Sequence, residues 1–203
     1  MSRAVWVVVS AVCVGVLAGC SGSPDEPAGL SATPTTAVEP SPTPTPTPTP
    51  SSEVQDQSDP ALGIVFTDIP DLTGDEADVY NTLATYQKEY WRTLTTNTVS
   101  PAFSVIAAAE IQDRMQQIAT TNANDLGQIG PVFHTSIGNV VVTGDTAQGA
   151  VCEDFSGATF ADKDGTYTPD EAGFEKRLKS VTLSRVGGEN RWIVLTSVVG
   201  DPC

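Results

Sequence analysis

The stretch TGDEADVYNTLATYQKEYWRTLTT, residues 73–96, reads as one long amphipathic helix. Thr73-Gly74-Asp75-Glu76 has the Thr-x-x-Glu form of a capping box, in which side chains at the first turn satisfy orphan backbone N–H groups. Behind it Val79, Leu83, Tyr86, Tyr90 and Leu94 recur at helical steps. That spacing predicts a helix over about Asp75–Thr96 with one buried stripe. Trp91 widens the stripe, and Lys88 and Arg92 face water. A helix with one apolar stripe must bury it against another layer, so the chain on either side has to supply one.

Downstream the pattern stays helical and then changes period. Ser100-Pro101 opens a short segment through Phe103, Val105 and Ile106. A second helix over about Ala108–Asn122 carries Ile111, Met115 and Ile118 on its inner side. Leu126-Gly127-Gln128-Ile129-Gly130-Pro131 ends the helical half. Val132–Val142 is β-rich, Gly144-Asp145 marks a hairpin, and Ala147–Phe155 returns. A polar stretch, Ser156–Glu171, holds the turn Lys163-Asp164-Gly165. Phe174–Val186 and Arg191–Val199 form a second hairpin about residues 187–190. Helices first and hairpins after predict an α+β domain, 61–203, with the helices packed on one face of a curved antiparallel sheet.

Upstream the composition is of another kind. Ala4–Ala18 is uncharged and nearly all apolar, behind Arg3. About 15 residues is short of the ~20 that span a bilayer, and a basic residue, a short apolar run and small residues at its end make a signal peptide, 1–19. Leu17-Ala18-Gly19-Cys20 resembles the lipobox of bacterial lipoprotein precursors. That resemblance implies a diacylglyceryl thioether, with palmitate-type chains, on Cys20 as the first mature residue. Two lipid chains hold a membrane where one does not. The expected location is the extracytoplasmic face of the cell membrane. Residues 20–60 are rich in Ser, Thr, Pro and acidic side chains and cannot bury enough apolar surface to fold. Within them Pro40–Pro50 alternates Pro with Ser or Thr. Proline locks φ and pushes its predecessor extended, giving a polyproline II rod of roughly 34 Å. Thr between prolines also suits O-glycosylation.

The net charge of −15 excludes nucleic acid as a natural partner, because phosphate binding needs a basic face. Cys13 leaves with the signal peptide, and Cys20 takes the lipid. Cys152 and Cys203 then stand alone in an oxidising compartment and read as one disulfide, closing a loop of about 50 residues worth about 4 kcal/mol.

The layout resembles lipoproteins of high-GC Gram-positive (actinobacterial) type with a nuclear-transport-factor-2-like (SnoaL-like, cystatin-like) domain. The residues that carry the resemblance are Tyr90-Trp91-Arg92 on the first helix and Cys152-Glu153-Asp154 on a middle strand. Gly187–Trp192 before the last strand and the terminal Cys203 complete it. It implies a cone whose open end holds a small apolar ligand, in a fold family of both enzymes and non-enzymatic subunits. Fold therefore does not choose a function.

No hydrolase, nucleotide-binding or zinc-protease motif is present. His134 is the only histidine, so a multi-His metal site is excluded and no cofactor is expected. His134 reads as a surface or sheet-edge residue, with a general base or pH-sensitive group in the cone as the sharper alternative. Related catalytic domains use a cone Asp as proton shuttle, which points to Asp154; its other reading is a cap on the turn beside Cys152. Tyr86, Tyr90 and Trp91 are core residues by spacing and pocket-lining candidates by chemistry. Asp162-Lys163-Asp164-Gly165 with Glu171 mimics a calcium loop, but Phe160 falls where the loop needs an oxygen ligand, so a hairpin turn is the better reading. The expected function is a non-catalytic, membrane-anchored binding domain for an envelope protein or small lipophilic ligand. The alternatives are an isomerase- or hydrolase-type enzyme using Asp154 or His134, and a structural spacer or surface antigen.

Overall fold

The computed structural model describes residues 52–174, 176–187 and 189–203. The signal peptide, the lipidation candidate Cys20 and the Pro/Thr alternation lie outside the described residues. The long helix, α1, runs Asp75–Thr96, as the spacing predicts. Its start is built differently. Gly74 is the N-cap, at φ 64°, a region L side chains rarely adopt, and no side chain caps the helix. The capping box fails because Thr73 is held in a β-bridge with Glu53, while the Gly74 N–H donates to the Ser52 carbonyl at 2.9 Å. Asp75, Glu76 and Asp78 still place negative charge in the first turn, where the helix dipole favours it. All five stripe residues are buried, and Tyr80, Ala84, Gln87 and Trp91 extend the buried face. A short helix α2, Phe103–Ile106, turns the chain into α3, Ala109–Asn124.

The sheet has five strands in the order β1-β3-β4-β7-β8. These are β1 (Ile64–Thr67), β3 (Phe133–Thr143), β4 (Thr146–Asp154), β7 (Arg177–Arg185) and β8 (Trp192–Val199). The molecule is α+β, and the sheet is mixed rather than purely antiparallel, because β1 pairs parallel with β3. β1 precedes the first helix and is not predicted by the sequence pattern. A four-residue strand carries too little alternation to be seen, yet it buries Ile64 and Phe66. Gly63 makes the junction: at φ 79° its carbonyl accepts from the Phe133 N–H, and a Cβ there would lie 1.6 Å from the Pro131 oxygen.

Two bulges bend the sheet. One extra residue sits on β3 between Gly138 and Val141, where Asn139 takes φ 51°, and the β7–β8 register shifts at Thr182/Leu183. A small second sheet joins β2 (Gln128–Ile129), β5 (Phe160–Ala161) and β6 (Thr166–Tyr167). The last two strands flank the turn found in the polar stretch. Asp162 Oδ1 accepts there from the backbone N–H groups of Asp164 and Gly165, so this is the hairpin turn expected and its carboxylate is engaged locally.

The core lies between α1 and the inner face of the sheet. Trp91 stacks on Phe133 at 5.0 Å, Phe133 meets Phe155 at 4.8 Å, and Phe155 meets Phe174 at 5.0 Å. Phe160 stacks on Phe174 at 4.6 Å, so a run of aromatic rings leads from the first helix to the small sheet.

Two peripheral segments of the domain are tied down. Composition places residues 52–60 with the unfolded segment 20–60, but they pack on α1. Gln57 Nε2 donates to the Asn81 carbonyl, Asn81 Nδ2 donates to the Glu53 carbonyl, and Asp59 pairs with Lys88 at 3.1 Å. Polar composition hides this, because the segment docks mainly through hydrogen bonds, with Val54 the one side chain packed on the core cluster. At the other end Cys152 and Cys203 form the disulfide, with Cα atoms 5.9 Å apart across 51 residues. The chain end reaches β4 by passing over β7, where the Leu178 N–H donates to the Asp201 carbonyl and the Gly200 N–H to the Leu178 carbonyl.

Candidate functional site

Strand alternation decides what faces inward. On β4 the buried positions are Ala147, Gly149, Val151 and Glu153, and Cys152 and Asp154 lie on the opposite face. Glu153 is therefore driven into the core side, with no exposure. A buried carboxylate needs partners, and the neighbouring strand provides them. Arg177 stands directly opposite Glu153 in the β4–β7 register, and Lys179 follows on the same face. Arg177 Nε donates to Glu153 Oε2 at 3.0 Å, and Lys179 Nζ donates to Oε1 at 2.5 Å. Arg177 Nη2 donates to the Tyr90 hydroxyl at 3.2 Å, and Lys179 Nζ lies 4.0 Å from the centre of the Tyr90 ring.

Burial pushes the Tyr90 and Tyr86 hydroxyls well above the ordinary tyrosine range, so both stay protonated. Burial also holds the Lys179 ammonium below the usual lysine range, opposed by the charge of Glu153. Both Glu153 oxygens are engaged by cations, which makes this carboxylate an anchor for Arg177 and Lys179 rather than a free base.

Above this network opens a cavity of about 760 Å³, between α3 and the small sheet. Leu94, Ile118, Ile129, Phe160, Tyr167 and Phe174 form its apolar wall. Tyr90 and Arg177 reach it from the network, and Arg114 and Gln117 from α3. The volume is in the range of small-molecule sites. Rigid aromatic walls with a few polar groups can hold and orient a partly apolar molecule.

The candidates named from sequence divide as follows. Tyr90 lines the cavity; Tyr86 packs edge-on against Phe103 at 5.9 Å. Trp91 is core, its Nε1 donating to the Leu62 carbonyl at 2.9 Å. His134 and Asp154 are cross-strand partners, together with Lys176, on the sheet face turned away from the helices. They do not reach the cavity. The Ser156 hydroxyl, then its backbone N–H, hold the Asp154 carboxyl below the usual range, which is the turn-capping role and the reverse of a tuned proton shuttle.

Glu153, Lys179, Arg177 and Arg114 went unrecognised. A signal existed for the first of them: Val151 and Phe155 flank Glu153 at period two, so a strand that buries those two must bury Glu153 as well.

No described helix is long and apolar enough to cross a membrane. No family model matches the chain. No curated protein matches it. Among solved structures, the intermembrane space region of the chloroplast protein ARC6 is similar over 61% of this chain and 94% of its own, at 12% identity and a TM-score of 0.46. At that distance no activity passes from one chain to the other.

Proposed function

We propose that this chain is a lipid-anchored extracytoplasmic protein whose folded domain is a nuclear-transport-factor-2-like cone that binds a small lipophilic ligand without transforming it. The observation that carries the binding half is the aromatic-walled cavity of about 760 Å³ beside Tyr90. Three helices set against a bulged sheet support the cone reading. The anchoring half rests on Leu17-Ala18-Gly19-Cys20 and is supported by the disulfide, which belongs to an oxidising compartment. The enzyme alternative is weakened because its two named residues, His134 and Asp154, stand away from the cavity.

The binding half is tested by exposing the purified protein to a lipid extract of its host and reading native mass spectra. A retained apolar adduct that is lost in Phe174→Arg, which fills the cavity with a charge, supports the reading. An empty protein in every extract sinks it. For the anchor, Cys20→Ser should move the protein from the membrane fraction to the soluble one with the melting temperature unchanged. Retention in the membrane would overturn the lipobox reading.

A further inference from the structure

Around the buried Glu153 stand more positive charges than it can neutralise. Arg177 and Lys179 both bind it, and Arg114 on α3 lines the same cavity as Arg177. Arg114 has no carboxylate within salt-bridge distance among the described residues; its one described hydrogen bond, from Nη1 to the Ser197 carbonyl, is 3.3 Å long. Arg177 leaves Nη1 without a described hydrogen-bond partner, and its guanidinium lies 5.1 Å from the rings of both Phe155 and Phe174, which fix its plane. This excess sits in a chain of net charge −15. Arg177 shares its carboxylate with Lys179, and Arg114 is exposed along the same cavity wall, where an anion from solvent can reach it.

The cavity is also polar along its length. Arg114, Ile118 and Thr121 line it from α3 and Asp125 from the C-cap, about 16 Å along the axis from Arg114. The basic end is at Arg114. At the Asp125 end the acidic groups are already engaged: Asp125 with Lys163 at 3.0 Å, Asp162 with two backbone N–H groups and the Tyr167 hydroxyl, and Glu171 with Thr168. Hydrogen bonds leave the charges of Asp162 and Glu171 in place, so the cavity runs from a basic end at Arg114 to an acidic end at Asp125, and an anion is favoured at the basic end alone.

We infer that the ligand is an amphiphile with an anionic head, carboxylate or phosphate monoester, seated on Arg114 with Arg177 behind it, and with its apolar tail along Ile118, Phe160 and Phe174. This rests on the ligand-binding reading above and adds the head-group chemistry. Guanidinium suits both anions, since its fork of N–H donors binds two oxygens at once.

The test titrates the unacylated full chain by calorimetry with four dodecyl compounds: dodecanoate, dodecyl phosphate, 1-dodecanol and dodecyltrimethylammonium. The expected result is that one or both anions bind about tenfold or more tightly than the alcohol, with Arg114→Gln removing that advantage, Arg114→Lys retaining part of it, and alcohol binding changing by less than about twofold. Shifts of the Arg114 side-chain N–H resonance in the unsubstituted chain report the same contact without any variant. Alcohol binding as tightly as the anions would overturn the head-group inference and leave the apolar cavity standing. Tightest binding of the ammonium compound would overturn it in favour of the acidic end. No binding of any of the four would overturn both readings.

Discussion

Glu153 shows how one residue organises the site. It is fully buried, and both of its oxygens hold cations from β7. Removing one member of a buried ion pair costs more than the pair contributes, because the remaining charge is stranded. Glu153→Ala should therefore destabilise the domain by about 3–5 kcal/mol, read as a fall in the denaturant midpoint. A loss within the range of ordinary surface substitutions would mean that Arg177 and Lys179 are not held by this carboxylate. The tyrosines make a second residue-level prediction. Burial pushes Tyr80 up to about 12, and Tyr86 and Tyr90 are raised by the same cause. A folded-state value above the unfolded one means that the unfolded chain loses the phenolic proton first. The protons these groups retain then stabilise the fold fully below about pH 10, and that stability falls as pH rises from the ordinary tyrosine value toward the raised one. Alkaline titration followed by phenolate absorbance should show these groups ionising only together with loss of the near-ultraviolet circular dichroism. Ionisation of all four tyrosines before any unfolding would contradict their burial.

At the scale of elements, the segment 52–60 before β1 is part of the folded domain. Ser52 accepts from the Gly74 N–H at the start of α1, Ser58 Oγ accepts from the Phe66 N–H, and Asp59 pairs with Lys88. Each intramolecular hydrogen bond contributes about 0.5–1.5 kcal/mol net, so deleting residues through Pro60 should cost about 2–4 kcal/mol, whereas deletion ending at Ser51 should be neutral. Thermal melts of the two truncations decide this. Equal melting temperatures would return the boundary to residue 60. The same segment brings the chain to Gly63, whose positive φ lets β1 lie parallel along β3.

For the whole molecule the disulfide is the main long-range tie. It joins β4 to a chain end that has crossed β7, so it braces the sheet on the face away from the helices. Cys203→Ser should destabilise the domain by about 2–5 kcal/mol, with ligand binding in the surviving folded fraction retained, because the bond lies on the opposite face from the cavity. Chemical denaturation of the variant beside the reduced parent checks it. Unchanged stability in both would show that the terminal segment contributes nothing to the fold.

The sequence by itself determined the α+β class, the limits of α1, both hairpins and the cysteine pairing, because each is written in local periodicity or in simple arithmetic. It also pointed to Tyr90, although helical spacing alone could not separate a cavity wall from core, and Trp91 and Tyr86 bore the same pattern. What only the tertiary structure decided depends on pairing between distant segments. The parallel β1–β3 contact, the docking of residues 52–60 and the failure of the capping box all follow from where the chain before α1 returns. The network around Glu153 draws on α1, β4 and β7, with Arg114 of α3 lining the cavity beside it, and Arg177 reaches Tyr90 across 87 residues. Its members come together only when the sheet register places Arg177 opposite Glu153 and the packing of α1 and α3 brings Tyr90 and Arg114 to the same end. No local pattern encodes that, because register is set by the burial of whole faces and not by any one residue.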